Sequence, residues 1–549
     1  MSEANGAGEI GLPTGWVCVP LATIAQINPP LDRCIVNDTV DVNFVPMRAV
    51  ESEGGGLVRP EVRPYCEVKK GYTAFLSGDV IMAKITPCME NGKTTVVPDL
   101  PGLVCFGSTE FHVIRPENGV AARWIARFLV QHELRRNAQR AMTGGVGQMR
   151  VPAAFLESVR IPVAPMAEQE RIVDTLDELL SDLGAGMAAL ERVREKLTLY
   201  RASLLKAALE GALTVEWRRQ HPQIEPASEL LKRILTERRR RWEEDQLRRF
   251  KEKGRELPKN WKARYKEPTV PDPTQLSKLP EGWCWASLDQ VADIAGGVTK
   301  GQKLSPQQKT RVVPYLRVAN VQRGYLDLSE IKEIRALEGD INGLRLEIGD
   351  ILFNEGGDRD KLGRGWIWEG QIEECIHQNH VFRARLLTGD VQPKLVSWCG
   401  NSYGQQWFMR TGRQSVNLAC INMTILRSFP VPLPPAAEQE PIVEAVEDQL
   451  SIIDHLEADL DAKLGNVQTL RQSILRHAFT GNLVPQNPKD EPASELLKRL
   501  AVEREQRAHE AAAARRLKAR KPRKVAKAGT RSKRRAATKE THNGRIADR

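Results

Sequence analysis

Five short stretches carry residue types at spacings that chemistry could use. GAGEIG (6–11) fits the phosphate-cradling pattern GxGxxG. No strand pattern precedes it and it lies in a polar terminus, so the strand–turn–helix that a pyrophosphate needs is missing. INPPL (27–31) is similar to an Asn-Pro-Pro-aromatic loop that grips a flipped adenine, but Leu31 stands where the stacking ring belongs. It reads as a loop. Pro-Asp at 98–99 and at 271–272 is not closely followed by the Asp/Glu-x-Lys that completes a nuclease carboxylate cluster. HQNH (377–380) holds the one close pair among nine histidines, and HxxH alone is more often a loop or core pair than a metal site. There is no GxxxxGK[ST]. No catalytic, cofactor or metal site is expected.

Binding remains. Base edges are read by Arg, Lys, Asn, Gln, Ser and Thr, and phosphates by Lys and Arg. Candidates in the first half are Lys84, Lys93, Ser108, Thr109, Gln148 and Arg150. In the second half they are Arg317, Asn320, Arg359, Lys361, Arg364, Gln378, Asn379, Arg413, Gln414 and Asn417. Each is equally a type that decorates a solvated surface. TGGVGQMR (143–150) and TGRQSVNL (411–418) combine glycines, which let a backbone approach a ligand, with Gln and Arg donors.

The elements that position these residues come twice. PASELLKR stands at 226–233 and again at 492–499. LPTGW (12–16) matches LPEGW (279–283), and Gly78-Asp79 opens VIMAK as Gly349-Asp350 opens ILFNE. FHVIRP (111–116) matches NHVFRAR (379–385), and PVAPMAEQERIV (162–173) matches PLPPAAEQEPIV (432–443). One register holds all these matches, so the chain is two copies of one unit. Each copy begins with a globular head, 12–165 or 279–435, in which short β-rich runs alternate with Gly, Pro and Asn. A helical region follows, 166–255 or 436–510, with a linker at 256–278. The expected fold class is α+β, with two pseudo-symmetric heads separated by an antiparallel two-helix coiled coil.

The coil is read from apolar positions stepping 4, 3, 4, 3. In the first copy these are Ile172, Leu176, Leu179, Leu183, Leu190, Val193, Leu197 and Leu204, with Gly186 and Tyr200 in the same series. In the second they are Ile442, Val446, Ile453, Leu456, Leu460, Val467, Leu470 and Ile474, interrupted by Gln449 and Lys463. Each seam spans roughly 48 Å at ~1.5 Å per residue. A symmetric antiparallel register sets Leu197 near Gln449. Pro441 replaces Arg171 and fits only the first turn of a helix. Both series stop at a glycine, Gly211 and Gly481, where helices can end.

Totals bound the rest. Nine scattered cysteines with no CxxC favour reduced thiols and a cytoplasmic protein. No signal peptide and no membrane span are expected. The net charge is +11, but residues 515–539 hold 13 Lys or Arg and no acid, which leaves −2 for the rest. Residues 1–11 and the basic tail 511–549 are expected to be disordered, the tail either attracting nucleic acid or merely solubilising. A near-neutral body predicts weak DNA binding by the isolated chain.

Heads joined by helices of fixed length could read two half-sites on one face of a duplex, whose groove repeats every ~34–36 Å. Dissimilar heads with repeated joints imply an asymmetric split site and two copies of one joint-binding partner. On AEQE twice, LYRASLLKAALEGALTVEW (199–217), LRQSILRHAFTGNLVP (470–485) and ITPCMENGKTTVV with GSTEFHVIRP, the chain resembles the specificity subunit of Type I restriction–modification systems. The resemblance runs from residue 12 to about 507. It implies two target-recognition domains on double-stranded DNA and a coiled coil docking two methyltransferase subunits. Restriction and translocase subunits would be further partners. S-adenosylmethionine, ATP and magnesium would then belong to the partners, and this chain would not be an enzyme. The rivals are a fused methyltransferase–specificity enzyme, which the missing cofactor motifs disfavour, and a coiled-coil scaffold whose heads bind protein.

Overall fold

Leu-Pro-x-Gly-Trp opens each head and turns the chain into a short strand, Val17–Pro20 in the first and Cys284–Ser287 in the second. The computed structural model describes residues 11–31, 38–101, 104–145, 147–272, 274, 276–301, 305, 307–357, 362–411, 413–414 and 419–519. The opening strand pairs antiparallel with the strand that leaves the head, Arg160–Val163 or Pro430–Leu433. Each head is thus closed by its own first and last strands. The chain divides into two units, residues 1–185 with 466–549, and residues 186–465.

In the first unit the strands Ala25–Ile27, Phe111–Pro116, Val80–Ala83 and Thr94–Val96 form one antiparallel sheet in that order. A second sheet runs Glu61–Pro64, Asp41–Val45, Cys105–Gly107, Thr73–Phe75, with its middle pair parallel. Trp124 is fully buried between Trp16, 5.5 Å away by ring centroids, and Phe479 at 4.5 Å.

The second unit repeats the first sheet as Ala292–Ala295, Val381–Leu386, Ile351–Asn354 and Gly365–Ile367. Its other sheets are Lys332–Leu337, Thr310–Leu316, Ile376–His377 and the small Gly356–Gly357, Ala419–Cys420, Arg413–Gln414. The fold class is α+β, as expected.

Two helices of 44 residues, Met166–Leu209 and Ala436–Phe479, carry the seams. Both end on the expected glycine with a left-handed backbone, φ 71° at Gly211 and 72° at Gly481. In each case the next residue's N–H reaches back five positions, Ala212 to the Ala207 carbonyl at 2.8 Å and Asn482 to that of His477 at 2.9 Å. That bond needs the left-handed turn only glycine adopts without strain. Pro441 departs from expectation. The helix starts at Ala436, so the proline sits in its second turn and forfeits the bond to the Ala437 carbonyl.

The helices pair antiparallel. In the second unit Arg194 meets Asp461 at 3.0 Å while Arg201 meets Glu457 at 3.0 Å and Asp454. These exposed pairs orient the helices and add little stability. Leu204, Ile442, Val446 and Ile453 are buried there, and Leu197 and Leu450 pack against them. Gln449 lies on the flank, accepting a bond from the Tyr200 hydroxyl at 3.2 Å, rather than opposite Leu197 in the seam. In the first unit Ile172 and Leu176 are buried, with Leu183 and Ile474 packed on the same cluster. Leu460 is buried, while Leu179, Leu190 and Val467 are half-buried. Three seam residues correct the sequence reading: Val193, Leu456 and Leu470 are 44%, 44% and 49% exposed. A heptad stripe on a helix of 3.6 residues per turn drifts by ~20° per heptad, so a single partner helix cannot cover it throughout.

The repeated octapeptide opens the two joint helices, Ala227–Glu252 and Ala493–Ala519. Its alanine is fully buried in both copies, and the alanine N–H donates to the glycine carbonyl of Leu-Pro-x-Gly-Trp, Ala227 to Gly282 at 2.8 Å and Ala493 to Gly15 at 2.9 Å. The joint written after the first head therefore caps the second, and the joint written last caps the first. Arg238 pairs with Asp289 in one, Arg504 and Arg507 with Glu117 in the other. The segment assigned as linker folds back on its joint helix, with Trp261 stacked on Trp242 at 5.8 Å. The last helix runs to Ala519, nine residues past the expected boundary at 510, because AHEAAAARRLKA is made almost wholly of strong helix formers. The rest of the basic tail, and residues 1–10, lie outside the described residues.

Candidate nucleic-acid interface

Three first-head candidates converge on one residue, Glu110. Arg150 holds Glu110 bidentately at 2.8 and 2.9 Å, and its third nitrogen donates to the Gln148 carbonyl at 3.0 Å. This fork keeps the Glu110 carboxyl below its usual pKa. The Lys84 N–H donates to the Glu110 carbonyl at 2.9 Å, and the Ser108 hydroxyl accepts the Glu110 N–H at 3.2 Å. Thr109 and Gln148 are exposed beside them. Lys93 is spent on the fold, its ammonium bonded to the carbonyls of Met47 and Val50 at 3.2 and 2.7 Å.

The second head repeats this backbone frame. The Glu355 N–H donates to the His380 carbonyl at 2.9 Å, and the Ile421 N–H donates to the Glu355 carbonyl at 2.8 Å. In the first head the Val151 N–H donates to Lys84 in the same way. Glu355 thus stands where Lys84 stands, His380 where Glu110 stands, and Cys420 where Arg150 stands. His380 and Glu355 pair with each other. Gln378 and Asn379 lie half-buried alongside, and Arg364 extends the same edge through the bond from Asn354 N–H to its carbonyl at 3.0 Å. Arg413 and Gln414 form a strand in the small neighbouring sheet. Arg317 is drawn to Glu330 at 3.4 Å. Asn320 is buried and bonds the Asp327 and Glu330 carbonyls at 2.9 and 3.0 Å, which commits it to the fold. Arg359, Lys361 and Asn417 lie outside the described residues.

The two histidines of HQNH do different work. His377 is fully buried, its Nδ1 2.6 Å from the Val381 carbonyl, and burial pushes its pKa down to about 4. Below about pH 6.5 the unfolded chain binds a proton that the folded head refuses, so stability present above that pH is lost as pH falls towards 4. Replacing His377 with glutamine will flatten this acid loss in the second unit, measured by thermal unfolding between pH 7 and pH 4.5. Among the described residues no three His, Cys, Asp or Glu side chains converge as metal ligands.

Two further constellations were not anticipated. Gly-Asp, read only as the repeated opening of VIMAK and ILFNE, also anchors an arginine. Asp79 accepts the Leu76 N–H at 2.8 Å and holds Arg115 with two bonds of 2.7 Å, and Asp350 holds Arg385 likewise. The signal was present, since an arginine follows Gly-Asp at nearly the same spacing in both copies, 36 residues after Asp79 and 35 after Asp350. The second constellation docks helix to head. The Glu of each AEQE is buried and accepts the indole N–H of the opening Trp, Trp16 to Glu168 at 3.1 Å and Trp283 to Glu438 at 2.8 Å.

Comparison with known proteins follows the same lines. Residues 65–189 match the family described as the Type I restriction modification DNA specificity domain. The Type I restriction enzyme EcoEI specificity subunit of Escherichia coli is 28% identical over 498 residues, covering 82% of this chain and 80% of that protein. The EcoKI specificity subunit of Escherichia coli strain K12 is 25% identical over 541 residues, covering 90% and 96%. A chain solved in a study of complex assembly and conformational transition of the type I R-M system shares the fold, with a TM-score of 0.57 at 18% identity over 86% of this chain and 99% of that one. With its duplicated heads and joints, the chain is similar over most of its length to the specificity subunits of Type I restriction–modification systems.

Proposed function

We propose that this chain is the DNA-recognition subunit of a Type I restriction–modification complex and performs no catalytic step itself. Each head reads one half of a bipartite, asymmetric site on double-stranded DNA. The long helices set the gap, and the helical joints hold two methyltransferase subunits, with restriction and translocase subunits completing the assembly. S-adenosylmethionine, ATP and magnesium serve those partners, and the complex acts in the cytoplasm. No described helix is long and apolar enough to cross a membrane.

The observation that carries this reading is a common frame bearing unlike side chains. Lys84, Glu110 and Arg150 in one head give way to Glu355, His380 and Cys420 in the other, while the docking Trp–Glu pairs and Asp–Arg anchors are kept. A frame kept constant while its edge varies suits two readers of different sequences. Lys84, Ser108, Thr109, Gln148 and Arg150 supply the donors in the first head. In the second, Arg317, Arg364, Gln378 and Asn379 are joined by Arg413 and Gln414. The methylome of a cell carrying this gene tests the proposal. The expected result is methylation at a split, non-palindromic motif with a fixed gap, lost when the gene is deleted. Methylation unchanged by the deletion would refute it.

A further inference from the structure

The second unit contains a cavity of about 610 Å³ that the recognition role does not use. It lies between the last turns of the first long helix, from Ala202 to Glu210, and the helical segment 393–411 of the second head. That volume falls within the ~300–1,000 Å³ of cavities that enclose small organic ligands.

Sequence explains why the cavity exists. The first head breaks the corresponding helix at Val130–Gln131, and the second carries it through a π turn, Gly400–Gly404. In the first unit the equivalent slot is filled. The Gln472 side chain accepts the His132 N–H at 3.0 Å, and Phe479 packs on Phe128 at 5.3 Å. Counting back from the shared terminal glycines, Gln472 corresponds to Ala202 and Phe479 to Leu209. Two smaller side chains thus stand where the first unit places a plug.

The walls have a consistent chemistry. Trp285, Tyr403 and Trp407 supply aromatic surface that is already fixed. The Trp285 indole donates to the Ser277 carbonyl at 3.0 Å, and Tyr403 donates to Pro430 and stacks on Phe429 at 5.5 Å. Lys206, Arg323 and Arg410 line the cavity against one acid, Glu210, which sits 3.9 Å from Lys206. Among the described residues, the side chains of Ser402, Gln405 and Gln406 make no hydrogen bond and Arg410 makes no ion pair, although all four line the space. Aromatic faces stack on bases, glutamine amides match base edges, and Arg and Lys meet phosphate. The cavity therefore offers three complementary functions in one enclosure.

We propose that this cavity binds a single nucleotide, with the base against Trp407 and the phosphate towards Arg410 and Lys206. The nucleotide is either free or one residue of a DNA strand. The test titrates the full-length chain with AMP, GMP, CMP and UMP, following tryptophan fluorescence and heat. Adenosine, guanosine and inorganic phosphate serve as partial ligands, and a single-stranded 20-mer oligonucleotide serves as competitor. Saturable binding of at least one monophosphate is expected, at least tenfold tighter than its nucleoside or phosphate alone. Ala202→Gln, which restores the plug of the first unit, and the exposed Gln406→Ala are each expected to weaken it tenfold or more while leaving thermal unfolding unchanged. Competition by the oligonucleotide would assign the site to a strand, and its absence to the free nucleotide. Failure of all four monophosphates and the oligonucleotide to bind, or binding indifferent to both variants, would overturn the proposal.

Discussion

Replacing Arg218 with alanine will cost the second unit about 3–5 kcal/mol, the penalty of stranding a buried carboxylate. Glu438 has no exposed side-chain surface, and Arg218 is its only cationic partner among the described residues. The guanidinium also bonds the Thr214 hydroxyl at 3.0 Å and the Gly211 carbonyl at 2.6 Å, which ties the helix end to the carboxylate. Without it, Glu438 keeps only the Trp283 indole and the Thr214 hydroxyl, at 2.8 and 2.6 Å. Its place in the first turn of the long helix returns some of the loss through the helix dipole, but a dipole at a terminus gives at most ~2 kcal/mol. Hydrogen exchange read peptide by peptide will show the loss confined to residues 186–465. A double variant, Arg218→Met with Glu438→Leu, will recover part of it, because two apolar groups need no pairing, while the Trp283 indole and the Thr214 hydroxyl lose their acceptor. The first unit supplies the control. Glu168 has one carboxylate oxygen without a partner, and the positions of Thr214 and Arg218 are held there by Val484 and Pro488. Glu168→Gln will therefore cost the first unit far less than Glu438→Gln costs the second.

That contrast marks the reach of sequence reasoning in this protein. The duplication and the glycine stops appear where they were read, and the heptad stripe does so except at three positions. Gly211 and Gly481 end helices because only that residue takes the left-handed turn cheaply. The α+β heads were legible from short β-rich runs broken by Gly, Pro and Asn. Contacts across 150 residues were not legible. Nothing in AEQE says that its glutamate is buried under a tryptophan, or that PASELLKR caps the head of the other copy. Periodicity also misled at Val193, Leu456 and Leu470, since an apolar stripe states what wants covering and not what covers it. Lys93 and Asn320 failed in a related way. A donor's type is visible in a sequence, but whether backbone carbonyls have already claimed it depends on the fold. Ser108, Gln148 and Arg150 converge because two bridges, Ile85 to Arg150 and Thr143 to Arg150, fold the glycine-rich loop back on the sheet.

The second large effect concerns that loop. In the complex with its methyltransferase partners, Arg150→Ala will weaken binding to the full site by about 5- to 150-fold and relax the preference at one position of one half-site. The argument rests on the fork. All three nitrogens of Arg150 are occupied, two by Glu110 and one by the Gln148 carbonyl, so the guanidinium is held flat and its geometry is set before DNA arrives. A guanine edge offers two acceptors at the spacing of a carboxylate, and can replace Glu110 at little cost. A phosphate or a mismatched base must displace the same carboxylate and also meet its negative charge. Glu110 therefore acts as a filter, and Glu110→Gln will have the opposite signature to Arg150→Ala. It will raise affinity for unrelated duplex and narrow the gap between cognate and non-cognate sites. Both changes will leave the other half-site untouched, because the residues that correspond in the second head are Glu355, His380 and Cys420, in a separate unit. Binding to a pool of sites randomised in one half at a time reads both predictions together. Arg150→Ala must change the profile of one half only, and a uniform loss across both halves would mean that Arg150 contacts phosphate or merely supports the loop.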